Sequence, residues 1–265
     1  MKIALIGAGN VAWHMGKALQ QAGHEVVAVN SRTEASRQEL AGQLAPAIPL
    51  PSPDFGGTGA ELILIAVPDA TLAAVAASMK APAGAIVAHT SGSQPLAVLQ
   101  GIAGARPGVF YPLQTFSKTK PVDFKTTPVL LEAEDAQTLQ ALQDVAATIT
   151  NEVVLVDSIK RKQLHLAAVF ACNFTNHLLG ISKELLQHAQ LPLTLLQPLI
   201  QETIAKAAQQ HPFQVQTGPA VRHDQNVIEE HLRMLQDQPL YQQVYQLLTQ
   251  SIQLHSPQQP PTPAQ

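Results

Sequence analysis

The chain holds a single cysteine, Cys172, among 265 residues. One thiol excludes an intramolecular disulfide framework and any zinc or iron–sulfur site built from cysteines. Charge is scarce as well: charged residues make up 13% of the sequence and the net charge is −3. No chain-wide basic field exists to hold a nucleic acid or an anionic membrane surface. Apolar runs are short or interrupted. The stretch 164–181 contains His165, Asn173, Asn176 and His177, so no segment is expected to cross a bilayer. No cleavable leader is expected either, because Gly7 and Gly9 break the apolar run Met1–Ile6. HEXXH is absent and the ten histidines show no metal-ligand spacing, so no metal site is expected. What is abundant is apolar: 46% of residues are hydrophobic, a core-forming composition. The expectation is a soluble, cytoplasmic protein.

The first half alternates between two periods. Apolar runs at 2–7, 25–30, 61–67, 85–89, 108–111, 128–132 and 153–156 fit strands. Helix-like stretches at 11–22, 33–43, 71–79, 96–102 and 135–148 lie among them. Such alternation predicts βαβ units and an α/β fold, a Rossmann-like, doubly wound, mostly parallel sheet. Continuous runs such as Leu62-Ile63-Leu64-Ile65 suit strands covered on both faces. Gly23 is placed to stop the first helix. After Asp157 the strand signals end. Helices are expected at 158–188, 195–210, 225–235 and 240–254, punctuated by Pro192, Pro212, Gly218-Pro219 and Pro239. The expected organisation is a nucleotide-binding domain over 1–156, an all-helical substrate and dimerisation domain over 157–255, and a disordered Pro/Gln-rich tail over 256–265.

Gly7-Ala8-Gly9-Asn10-Val11-Ala12 is a GxGxxA element between the first strand and the first helix. Gly7 suits the tight turn, Gly9 lets a pyrophosphate approach the backbone, and Ala12 keeps helix and strand close. Asn10 and Val11 open the helix, whose free N–H groups attract phosphate. A mere connecting turn is the alternative. The second strand ends Asn30-Ser31-Arg32-Thr33. A site for plain NAD places Asp or Glu there for the ribose 2′-hydroxyl. Asn30 lacks the charge that would repel a 2′-phosphate. Arg32 can grip that phosphate with two parallel hydrogen bonds, and Ser31 and Thr33 add hydroxyls, which points to NADP. Otherwise Arg32 is a surface charge and Thr33 a helix cap. Two further strand-end loops, Val67-Pro68-Asp69 and His89-Thr90-Ser91-Gly92-Ser93, lie where a dinucleotide passes in open α/β sheets. Asp69 and Ser93 also read as helix caps.

In the stretch 158–188, at about 100° per residue, Lys162, Asn173 and Asn176 fall within about 80° of His165. Apolar residues occupy most of the rest of the circumference, which predicts burial there. The polar stripe therefore faces either substrate or neighbouring helices. Farther on, Thr217–Asp224 gathers Arg222, His223 and Asp224 after a Gly-Pro turn. Arg222 could clamp a substrate carboxylate, and Asp224 could orient it or cap the next helix.

These motifs, with Tyr111-Pro112-Leu113-Gln114-Thr115-Phe116, give a resemblance over nearly the whole chain up to the tail. The sequence resembles a family of Rossmann-like oxidoreductases with a C-terminal helical domain of unassigned function, distant relatives of pyrroline-5-carboxylate reductases and 6-phosphogluconate-dehydrogenase-like reductases. The resemblance implies an NADP-binding domain, a helical dimerisation domain and a cleft between them. It supplies no substrate. Two departures stand out: the Ser-Pro-Gly-Gly-Thr run of true pyrroline-5-carboxylate reductases is missing, and Val169 stands four residues before Asn173, where hydroxyacid dehydrogenases carry a lysine.

The expectation is an NADP(H)-dependent reductase of a small carbonyl or imine compound. His165 or His89 would donate the proton, since imidazole titrates near neutral pH. Asn173 would polarise the substrate, and Arg222 would hold an anionic substituent. The alternative is a non-catalytic NADP(H)-binding redox sensor or scaffold. A reduced deazaflavin in place of nicotinamide is a weaker variant. A homodimer through the helical half is expected, because so apolar a long helix needs more surface to bury against.

Overall fold

The computed structural model describes residues 1–255; the tail expected to be disordered, 256–265, lies outside the described residues. The first half runs β1 (Lys2–Ile6), α1 (Asn10–Gln21), β2 (Glu25–Asn30), α2 (Glu34–Gln43), β3 (Ile48–Leu50), β4 (Leu62–Ile65), α3 (Asp69–Ser78), β5 (Ile86–His89), β6 (Arg106–Pro112), β7 (Val129–Ala133), α4 (Ala136–Ile149) and β8 (Val153–Leu155). One eight-stranded sheet has the order β3-β2-β1-β4-β5-β6-β7-β8. All pairs are parallel except β6 with β7. The order reverses at β1, between β2 and β4, which opens a crevice at the carboxyl ends of those strands.

Both faces of the sheet are covered. Leu5, Leu62, Leu64 and Ile86 point to one layer with Met15 and Leu19 of α1, Leu40 of α2 and Leu142 of α4. Ile6, Ile63, Ile65 and Val87 point to the other, with Leu72 and Ala76 of α3. Each such leucine, isoleucine, valine or methionine contributes about 1.5–3 kcal/mol when fully buried. Gly23 adopts φ 89° just past α1, as a helix stop requires. Asp135 caps α4 by accepting the Thr138 N–H at 2.8 Å. At α3 the cap is Pro68, not Asp69; Asp69 sits in the first turn, where its carboxylate favours the helix dipole. The stretch expected as a helix over 96–102 forms only a 3-10 turn, Leu96–Leu99, because Pro95 precedes it and Gly101 ends it. β3 was not expected at all. Its three residues include Pro49, and Asn30 Nδ2 donates to Leu50 O at 2.9 Å to hold it.

The long helical stretch is α5 (Ser158–Ala168), a π turn (Val169–Phe174) and α6 (Thr175–His188). Helices α7 (Gln197–Gln209), α8 (Gln225–Met234) and α9 (Pro239–His255) follow. Packing divides the chain into two compact units, one comprising Met1–Asn173 and one from Phe174 onward. That division falls later than the boundary expected at 156/157, because Arg161 and His165 of α5 are fastened to the sheet.

Two expectations about this stretch are corrected. Its apolar circumference is not buried in the chain: Arg161 is the one buried residue of α5, and α6 has none. Ile159 is 72% exposed and Leu166 59%. The run Ser158–His188 is also long and apolar enough, by length and composition, to cross a membrane. The polar interruptions within 164–181 are uncharged, which is why they do not remove it from that class. The second unit has little interior of its own. Its buried apolar residues, among those described, are Ala220, Ile228 and Leu235.

Candidate functional site

The turn between β1 and α1 is built for close approach. Gly7 has φ +105°, and a Cβ there would stand 2.1 Å from Ala66 O, so a side chain is excluded twice over. Gly9 caps α1 and faces open space; nothing lies within 4 Å of its would-be Cβ. Trp13 N–H donates to Gly9 O at 3.0 Å, and the N–H groups before it point out of the helix end. An anion held there meets both those donors and the positive end of the helix. Asn10 does not offer its amide: Nδ2 donates to Phe116 O at 2.9 Å and ties the helix start to the segment after β6. Val11, half-buried beside it, supplies backbone and packing.

A cavity of about 550 Å³ continues from this turn, lined by Gly7, Gly9, Arg32, Thr33, Val67 and Pro68 among others. Asn30 and Ser31 border it too, but the Asn30 amide is spent on Leu50 O. Ser31 Oγ lies 3.2 Å from Ser36 Oγ, and Thr33 caps α2. Arg32 is exposed, and its guanidinium makes no ion pair or hydrogen bond with any described residue. The rim thus offers one unpaired cation among three hydroxyls, with no carboxylate at the strand end. A second cavity, about 560 Å³, lies beside Trp13, Lys17, Lys118 and Phe124. It borders neither the glycine turn nor a strand-end loop, so the site is assigned to the first.

The β5 loop is organised by its own hydroxyls. Ser91 Oγ accepts from Ser93 N at 3.1 Å and Gln94 N at 3.0 Å. Thr90 Oγ1 donates to Ile65 O at 3.3 Å, joining β5 to β4. Ser93 Oγ donates to the Asp69 carboxylate. His89 is fully buried, and its Nδ1 accepts the Ser91 N–H at 3.1 Å. Burial, reinforced by the Arg161 charge, pushes its pKa down to about 4. His89 is therefore corrected as a proton donor: at neutral pH it is an uncharged spacer beneath the loop.

His165 is placed differently. Its Nδ1 lies 3.2 Å from the Tyr111 hydroxyl, and the rings meet edge to face at 6.2 Å. Gly92 makes this contact feasible. A Cβ on Gly92 would stand 2.7 Å from His165 Nδ1 and 2.8 Å from Tyr111 Cζ. Burial, and then the Asp69 carboxylate, raise the Tyr111 pKa above its ordinary value, while the Arg161 charge opposes them. Tyr111 was not singled out from sequence as a site residue; its signal was its place at the carboxyl end of an apolar strand.

Arg161 was missed altogether. Its side chain is 0% exposed and ion-pairs with Glu132 of β7. Nε donates to Ser91 O at 3.2 Å, and Nη2 donates to Gln94 O and to Ser158 Oγ. Glu132 also accepts from Ser158 N at 3.0 Å. A buried guanidinium so fully paired locks the β5 loop, β7 and α5 together. One helical turn later comes His165, so Arg161 fixes the placement of the imidazole.

Asn173 and Arg222 are not joined to this cluster by any hydrogen bond among the described residues. Asn173 is exposed in the π turn. That wider turn shifts the phase of the helix, so the polar arc projected from His165 to Asn173 and Asn176 does not persist. Arg222 lies in the second unit, exposed and without an ion pair or hydrogen bond from its side chain to a described residue. Asp224 caps α8 through Val227 N at 3.4 Å rather than orienting Arg222.

Two family models match the chain: a Rossmann-like domain over residues 1–112, and a domain of unknown function, DUF2520, over residues 127–252. No curated protein matches it. Among solved structures, the putative NADP oxidoreductase BF3122 from Bacteroides fragilis is 43% identical, with 96% of this chain and 98% of that chain covered and a TM-score of 0.86. A reductive aminase from Aspergillus terreus, in complex with NADPH and ethyl-5-oxohexanoate, is 17% identical, covering 96% and 92%, with a TM-score of 0.72. An imine reductase from Myxococcus stipitatus, in complex with NADP+, is 16% identical, covering 96% and 93%, with a TM-score of 0.65. These last two share the fold.

Proposed function

The chain belongs to the family that joins a Rossmann-like domain to the helical DUF2520 domain, and from that premise we propose that it is an NADP(H)-dependent oxidoreductase of a small carbonyl or imine compound. One observation carries the reading. A cavity that starts at a side-chain-free helix cap ends at an unpaired Arg32 flanked by Ser31 and Thr33, with no carboxylate to repel a phosphate. The backbone of Gly7–Val11 would hold the diphosphate. Arg32 and the neighbouring hydroxyls would hold the 2′-phosphate. Val67, Pro68 and Thr90 would line the path toward the reacting ring. When bound, the nicotinamide supplies or accepts the hydride. His165 is the proton source in this reading, half-buried against Tyr111 and in reach of water. Asn173 is the candidate for polarising the substrate.

Calorimetry with NADPH and NADH tests it. The wild type should bind NADPH more tightly, and Arg32→Ala should weaken NADPH by about 10- to 100-fold, the loss of one or two charged hydrogen bonds, while leaving NADH alone. No heat with either dinucleotide would refute the proposal.

The same reading includes a second copy of the chain. The apolar sides of α5 and α6 are uncovered, and the second unit buries few apolar residues. A helix apolar on most sides needs a partner surface. A two-fold homodimer supplies one with no further component.

A further inference from the structure

We propose that Tyr111 is the acid that delivers the proton to a carbonyl substrate and that His165 replenishes it. The inference rests on the oxidoreductase reading above and assigns its proton path. Tyr111 stands at the carboxyl end of β6, two strands beyond β4 in the sheet. Strands lie about 4.8 Å apart, so this is about 10 Å past the crevice in which the phosphates would rest, on the side away from Arg32. That is the side to which the reacting end of a dinucleotide extends. Three elements fix the phenol there: β6 carries it, the loop around Gly92 packs on its ring, and α5 brings His165 Nδ1 to 3.2 Å. No other side chain forms a hydrogen bond with its hydroxyl among the described residues.

The direction of that hydrogen bond decides the chemistry. If His165 carries its proton on Nδ1 and donates it to Tyr111 Oη, the phenolic hydrogen is free to point at a ligand. His165 is half-buried, so its ring remains in reach of water. Reduction balances as follows. The carbonyl carbon takes the hydride, with its electron pair, from the reduced nicotinamide, and the C=O π pair moves onto oxygen. That oxygen takes the Tyr111 proton as it becomes an alcohol. As Tyr111 recovers a proton from His165 Nδ1, His165 Nε2 takes one from a solvent acid (hydronium or buffer), and exchange with solvent returns the ring to its Nδ1–H form, so that one solvent proton is consumed per turnover.

Two measurements on the full chain test the proposal. The first is nitrogen-15 NMR of the histidine rings in cofactor-free protein. Wild type should show His165 protonated on Nδ1, and Tyr111→Phe should abolish that bias. A ring protonated on Nε2, with Nδ1 accepting, would overturn the relay. The second is NADPH consumption with matched panels of ketones, aldehydes and preformed cyclic imines. Tyr111→Phe should lower carbonyl kcat by about 10²- to 10⁴-fold with NADPH affinity and melting temperature unchanged, and should lose the solvent isotope effect. Carbonyl turnover retained by Tyr111→Phe would overturn Tyr111 as the acid and leave the oxidoreductase reading standing. Wild-type turnover of imines alone would overturn the carbonyl step. Failure of the wild type on every compound would overturn both this proposal and the reading beneath it.

Discussion

Replacing His89 with asparagine removes a group that the fold keeps uncharged, and the energetic consequence can be worked out. In the unfolded chain the imidazole has a pKa of 6.5; in the folded protein burial, and then Arg161, bring it down to about 4. Between those values the unfolded state holds a proton that the folded state does not. Stability therefore falls as pH drops through 6.5 and stops falling near 4. A gap of about 2.5 units corresponds to about 3 kcal/mol, at about 1.36 kcal/mol per unit. Asparagine Oδ1 can take over the Ser91 N–H that Nδ1 now receives, and it cannot titrate. Urea unfolding of both proteins between about pH 7 and pH 4 should show the wild type losing about 3 kcal/mol more than His89→Asn over the window. Parallel curves would refute the reasoning and return His89 to the list of groups that can charge at working pH.

Glu132→Ala should cost about 3–5 kcal/mol, because it strands the Arg161 guanidinium in the interior. A thermal melt within error of the wild type would show that the pair is not what holds α5 to the sheet. Sedimentation at micromolar concentration should return about twice the chain mass of 28.3 kDa. Ile159→Glu with Leu166→Glu should return the single-chain mass, since both side chains are exposed on the uncovered helix; a wild type that already sediments as one chain would count against the homodimer.

Local signals were readable from sequence. The glycine turn, the Ser31–Thr33 rim and the alternation of strand and helix each depend on a few neighbouring residues, and each was placed within two or three residues. β3 was not readable, because Ile48-Pro49-Leu50 is too short to show a period and carries a residue that strands avoid. The π turn was not readable either: Val169–Phe174 has no breaker, and a helical wheel assumes the very spacing the turn changes. The largest omission was Arg161. Its partner Glu132 is 29 residues away and its two carbonyl acceptors lie in a loop some 70 residues back, so only the assembled sheet brings them together. His89 failed for the same reason. An imidazole at a strand end looks like an acid until its burial is known.

Gly92 gives the cluster its tolerances. A lone hydrogen at that position sets the gap between a phenol on a strand and an imidazole on a helix. The turn acts as a shim of fixed thickness: one methyl group more would wedge the two rings apart. The spacing of the pair is thus adjusted by what the polypeptide leaves out.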